Sequence, residues 1–135
     1  MIEVYIDGAS AGDPGPSGAG VFIKGNGNLI RHAFPLSEMS NHQAEFHACI
    51  RGLDICRDHQ FSIISIRSDS KVVVDAIEKE YVKNPTFRPL LLTILTNINN
   101  HFEHVFIKWI PKKSNKEADL LAKRAIQLSL DKLSD

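Results

Sequence analysis

Val4-Tyr5-Ile6-Asp7-Gly8-Ala9-Ser10-Ala11-Gly12-Asp13-Pro14-Gly15-Pro16-Ser17-Gly18-Ala19-Gly20 runs an apolar strand into a carboxylate and then into a turn dense in Gly and Pro, before Val21, Phe22 and Ile23 resume an apolar course. Strand alternation sets Asp7 on the side of Tyr5 and Glu3, with Ile2, Val4 and Ile6 on the other. Taken singly, an Asp before Gly is equally well explained by a side-chain hydrogen bond that starts a turn. The deciding question is whether further carboxylates arrive at comparable places.

Outward from that stretch, residues 20–24 and 29–34 read as two strands joined at Gly25-Asn26-Gly27-Asn28, residues that tolerate positive φ, so the first three strands form an antiparallel meander. Pro35 is expected to end the third. Ser40 and Gln43 fit a capping box opening a helix over 41–58, with Ala48, Cys49, Leu53 and Cys56 at helical spacing and Gly52 permitting close approach to a sheet. Glu45 falls in the first turn, where an acid also serves simply to complement the helix dipole. Residues 61–67, FSIISIR, form a buried strand ending in Ser68-Asp69-Ser70, a second carboxylate at an apolar strand's end. Either Asp69 or Ser70 also suits the cap of a short helix carrying Val72, Val73, Ala76 and Ile77. A loop over 82–89, a helix over 90–99 and a strand over 104–110 follow. His101 and His104 straddle a helix end and a strand start, and are expected to be exposed and without a ligand. Ser114 and Glu117 fit a second capping box, opening a helix with Ala118, Leu121, Ala122, Ala125 and Leu128 on its apolar face. Asp119 lies in the second turn, directed away from that stripe as an ordinary solvated acid is.

A chain of 135 residues, 43% hydrophobic, suits one domain spanning 1–135 with a real core. Sixteen basic and sixteen acidic residues cancel, so affinity for a polyanion must come from local clustering. Cys49 and Cys56 are seven apart in one expected helix, about 10 Å along its axis, too far for a mutual disulfide. They read as reduced core thiols. No apolar run approaches the ~20 residues of a membrane span, and a cytoplasmic protein is expected.

The order β-β-β-α-β-α-α-β-α marks an α/β fold. If the fourth strand pairs parallel to the first, Asp7 and Asp69 emerge side by side at carboxyl ends of strands, where open α/β sheets place their sites. Glu45 and Asp119 then come from flanking helices. Four converging acids repel one another unless some protonate or hard, oxygen-ligated cations enter.

Over nearly its whole length the sequence resembles the type 1 ribonuclease H (ribonuclease HI) family. The matching pieces are Tyr5-Ile6-Asp7-Gly8-Ala9 with Gly12-x-Pro14-Gly15-Pro16, Ser40-Asn41-x-x-Ala44-Glu45, Ser68-Asp69-Ser70, and Asn115-x-x-Ala118-Asp119-x-Leu121-Ala122. The resemblance implies a ribonuclease H-like fold, a five-stranded mixed sheet in the order 3-2-1-4-5 flanked by helices. It implies a metal-dependent endoribonuclease that hydrolyses the RNA strand of RNA–DNA hybrids, leaving 5′-phosphate and 3′-hydroxyl ends. It also implies that Asp7, Glu45, Asp69 and Asp119 are catalytic and hold two Mg²⁺ ions, with Mn²⁺ admissible. Asp7 would bridge both ions, Glu45 and Asp69 would ligate the one nearer the attacking water, and Asp119 the other.

No base-reading motif is recognisable, so substrate choice rests on sugars and shape, and the wide minor groove of a hybrid presents 2′-hydroxyls. Asn41 and Gln43 offer amides, Gly8 and Ala9 offer backbone, and Asp13, Ser40, Ser70, Lys71, Lys113 and Asn115 complete the expected nucleic-acid contacts. Lys108, Lys112, Lys113, Lys116, Lys123 and Arg124 suit phosphate contact and equally an ordinary solvated face. Three features depart from the family's pattern. Pro111-Lys112-Lys113-Ser114 is short and lacks the family's loop His, Asp13 puts a carboxylate where a phosphate contact is expected, and residues 82–89 are too short for the basic protrusion some members carry. The absent His and Asp13 motivate an alternative to the leading endoribonuclease reading, a non-catalytic or weakly active nucleic-acid-binding module. A related nuclease with another substrate preference is a third reading, and a monomer is expected.

Overall fold

The computed structural model describes residues 1–133. Its elements are β1 (Ile2–Ser10), β2 (Gly15–Gly25), β3 (Asn28–Met39), α1 (Asn41–Asp58), β4 (Ile63–Ser68), α2 (Lys71–Lys79), α3 (Arg88–His101), β5 (His104–Trp109), a 3-10 turn (Lys112–Ser114) and α4 (Lys116–Leu133). They build one five-stranded sheet in the order β3-β2-β1-β4-β5, with β1–β2 and β2–β3 antiparallel and β1–β4 and β4–β5 parallel. This is the ribonuclease H-like mixed sheet that the family resemblance implied.

The meander turns tightly because Asn26 and Gly27 both take positive φ, 51° and 80°. That combination matches the right-handed twist of the flanking strands. Both hairpin strands run further than their apolar cores suggested, and Pro35 does not end β3. It lies inside the strand opposite Gly18. β3 is an edge strand bonded to β2 alone, so a residue without an N–H costs the ladder nothing where that group would face outward. Helix α3 likewise begins earlier than expected, at Arg88, because Pro89 sits in its first turn, where the missing N–H is an orphan anyway.

Two glycines set how closely the helices approach. A Cβ on Gly8 would collide with the backbone of Ala44 and Glu45 in α1, and a Cβ on Gly20 with the backbone of Ala118 and Ala122 in α4. Gly20 pairs with Asp7, so the two share a face of the sheet, whereas Gly8, one residue on, points to the other. Helices α1 and α4 therefore cover opposite faces at contact distance. The α1 side holds the core of Val4, Ile6, Val21, Phe46, Cys49, Leu53, Ile64 and Ile66, extended by Leu91 and Ile94 of α3. On the α4 side Ala118, Ala122 and Ala125 are fully buried against β2, while Leu128, expected on the apolar stripe, is 43% exposed.

Cys49 and Cys56 are both free and buried. Among the described residues no helix is long and apolar enough to cross a membrane.

Candidate functional site

The parallel register of β1 and β4 places Ile6 opposite Ser68. One step further, Asp7 and Asp69 therefore leave the sheet side by side at its carboxyl edge. Gly8 lets α1 lie against β1, and this brings Glu45 to the same edge. One carboxylate oxygen from each of Asp7, Glu45 and Asp69 lies within 4.8 Å of the others. Asp119 joins from the far side of the sheet, since Gly20 admits the start of α4 beside Asp7, and the Asp7 and Asp119 carboxyl groups share a hydrogen bond. All four acids singled out by sequence are thus brought together, three in one cluster and the fourth bonded to a member of it.

Two positions differ from expectation. Glu45 is the fifth residue of α1, whose first turn holds no acid, so the dipole explanation does not apply to it. Asp119 belongs to the first turn of α4, because the helix starts at Lys116 rather than from Ser114, which is spent in the 3-10 turn. The expected box between Ser114 and Glu117 therefore does not form.

Asp7 is only 9% exposed. Burial pushes its carboxyl up to about 8, aided by the Asp69 charge, the hydrogen bond with Asp119 and the charges of Asp119 and Glu45. Burial also raises Glu45, against hydrogen bonds from His42 and Ser70, and raises Asp69, against a hydrogen bond from Asn115 and the charge of Lys112. For Asp119 burial works upward too, but the Lys123 ammonium at 2.9 Å, the bond with Asp7 and the charge of Lys112 outweigh it and hold the acid below its usual range. One shared proton relieves part of the repulsion in the ion-free cluster. An all-oxygen donor set with surplus negative charge suits hard divalent cations, for which Asp7, Glu45, Asp69 and Asp119 are the available ligands.

The expected nucleic-acid contacts fall into two groups. Gly8 is buried and Ala9 half-buried under the start of α1. Ser70 is buried as the cap of α2, accepting from the Val73 N–H, and it is bonded to Glu45. Asn115 is 1% exposed. Its amide donates to the Ile6 carbonyl at 2.8 Å and to Asp69 Oδ2 at 3.4 Å. Asn115 thus ties the entry of α4 to β1 and to the acid cluster, and as a surface contact it is corrected by its burial. Ser40 and Gln43 form the capping box of α1, and Asn41 Oδ1 accepts the Ser10 N–H at 3.3 Å. Asp13, Asn41, Lys71 and Lys113 are exposed. Sequence reasoning passed over His42, whose Nδ1 lies 2.8 Å from Glu45 Oε1, although a spacing of three on one helix was a usable signal. It also passed over Trp109, whose indole donates to the Asp69 carbonyl at 3.1 Å beneath the Lys71 ammonium. No local pattern announces that contact, which joins β5 to the residue following β4.

A sheet of this order with acids from β1, α1, the end of β4 and α4 defines a class. Residues 5–125 match the family profile described as reverse transcriptase-like, and the chain belongs to this ribonuclease H-like family. It is 36% identical over 129 residues to the Enterococcus faecalis protein named "Putative hydrolase EbsB", the match covering 94% of this chain and 95% of that one. Ribonuclease HI of Halobacterium salinarum is 29% identical over 127 residues, covering 93% of this chain and 64% of that protein. The solved ribonuclease H1 of that archaeon superposes with a TM-score of 0.87 over 93% of this chain and 97% of its own. LC11-RNase H1, solved in complex with RNA/DNA hybrid, superposes with a TM-score of 0.88 at 30% identity, over 96% of this chain and 99% of its own.

Proposed function

We propose that this chain is an endoribonuclease that hydrolyses the RNA strand of RNA–DNA hybrids, with Asp7, Glu45, Asp69 and Asp119 holding two divalent ions, Mg²⁺ with Mn²⁺ admissible. The observation that carries the proposal is the convergence of three carboxylate oxygens within 4.8 Å, with the fourth acid hydrogen-bonded to one of them. Kinship with a structure solved on an RNA/DNA hybrid supports the choice of substrate. Two such ions, when bound, activate a water and stabilise the departing 3′ oxygen in an in-line displacement, leaving 5′-phosphate and 3′-hydroxyl ends.

The chain's own residues supply position and charge. Asp7, which lies between Asp69 just past the end of the neighbouring strand and Asp119 on α4, would be the acid shared by both ions. Its proton must leave before it can ligate, and the Asp119 carboxylate, kept ionised by Lys123, is the group bonded to it. Asn115 holds Asp69, and Trp109 holds the backbone at the same residue. Asn41 and Gln43 have their side-chain oxygens committed to backbone N–H groups. Their NH₂ groups are left to reach sugar hydroxyls along the minor groove. Lys71 and Lys113 are exposed beside the acids' supports and suit phosphate contacts. We assign the activity to a single ribonuclease H domain working as a monomer.

A labelled RNA–DNA hybrid incubated with Mg²⁺ or Mn²⁺ tests the reading. Cleavage of the RNA strand, abolished by Asp69→Asn, is the expected result. Retention of the hybrid without cleavage favours the second reading, a non-catalytic binding module. That reading draws on the 3-10 turn Lys112–Ser114, which carries no His, and on the exposed Asp13.

A further inference from the structure

We infer that His42 is a positioning residue for Glu45: its imidazole holds the carboxylate in the orientation from which that acid would ligate a divalent ion, an inference resting on the function proposed above. His42 and Glu45 are the second and fifth residues of α1, so they stand one turn apart on the same face. Nδ1 lies 2.8 Å from Glu45 Oε1, a length typical of a hydrogen bond to an ionised acceptor. The carboxylate accepts, so Nδ1 carries the hydrogen. The Ser70 hydroxyl supplies a second hydrogen bond to the same carboxyl group.

The imidazole is itself braced. Its ring meets Phe87 edge-on with centroids 6.1 Å apart, and Phe87 packs on Phe46, the residue after Glu45, at 5.1 Å. Phe87 immediately precedes α3, so a ring more than half exposed is nonetheless braced on one side by the start of that helix. Without the imidazole, Glu45 keeps only the Ser70 contact, and its three side-chain torsions are free to carry the carboxylate away from Asp7 and Asp69. Groups that orient a metal-ligating side chain commonly change metal affinity or activity by roughly 10–100-fold when removed. A partly exposed partner belongs at or below the lower end of that range.

The test compares wild type with His42→Ala, His42→Phe and His42→Asn. Phe keeps the ring against Phe87 and loses the N–H, while the Asn amide sits close to where Nδ1 stood. Mn²⁺ binding to the ion-free protein is measured by titration calorimetry, and hybrid cleavage is measured alongside. Ala and Phe are expected to weaken Mn²⁺ binding by roughly 3–10-fold and to lower kcat with KM little changed, and Asn to restore both to within about twofold. Equal Mn²⁺ affinity in wild type and His42→Phe overturns the inference and leaves the proposed function standing, as does a His42→Asn variant no better than His42→Ala. Absence of Mn²⁺ binding by wild type overturns both.

Discussion

Replacing Asp7 with Asn is expected to stabilise the ion-free protein while abolishing its divalent-ion response. Burial and three neighbouring acids raise the Asp7 carboxyl from its ordinary 3.8 to about 8. The folded protein therefore keeps a proton that the unfolded chain has already released. Stability of the ion-free protein accordingly falls as pH rises from about 4 to about 8, and the whole shift corresponds to at most roughly 6 kcal/mol. Asp119, held below its usual range, works in the opposite sense and offsets part of this. Asn preserves the shape, removes the charge and still offers Asp119 a hydrogen bond. A net gain of about 1–3 kcal/mol at pH 8 is expected, a rise in Tm of about 4–12 °C for a domain of this size. Thermal denaturation in EDTA at pH 4 and pH 8, repeated at pH 8 with Mg²⁺, makes the measurement. The gain should be large at pH 8 and small at pH 4, and only wild type should be stabilised by Mg²⁺. A gain of equal size at both pH values, or none at pH 8, would refute the electrostatic account of the cluster.

Gly8→Ala would drive a methyl into the Ala44 and Glu45 backbone. A loss of about 2–4 kcal/mol in urea unfolding is expected, with cleavage impaired even below the new Tm. Asn115→Ala removes the buried link to the Ile6 carbonyl and to Asp69. It should cost about 1–3 kcal/mol and let the Asp69 carboxyl rise further, readable by carboxyl NMR titration. Lys71→Ala and Lys113→Ala, at exposed positions, should each weaken hybrid binding regardless of base sequence and reduce the salt slope by about 1, measured by fluorescence anisotropy across a salt series.

Much of this molecule was readable from local pattern because its elements carry strong local signals. Helix α1 runs over the residues that its Ser40–Gln43 box and apolar spacing set out, and the acids at strand ends stood out against apolar runs. Where the reading failed, the missing fact lay far off in the chain. Pro35 breaks a strand only if its N–H is needed, and edge position is a property of the whole sheet. Asn115 looked like a surface contact because the Ile6 carbonyl that claims its amide lies 109 residues earlier. Gly8 was read only as backbone offered to a substrate, and the room that its missing side chain makes for α1 went unread, because the position of that helix depends on the tertiary packing. The four acids themselves were separable from ordinary surface and capping residues only as a set, since each has a sufficient local explanation alone.

The two thiols give this protein a gauge of its own motion. Cys49 and Cys56 ride on the helix that presents Glu45, and burial pushes both up to about 12, so near neutral pH neither offers a thiolate to a reagent. A thiol-specific dye can reach them only when α1 lifts away from the sheet, and its rate of uptake reports how often that happens. Cations that knit Glu45 to the strand acids would slow the dye, and the lag would register how far they fasten α1 in place.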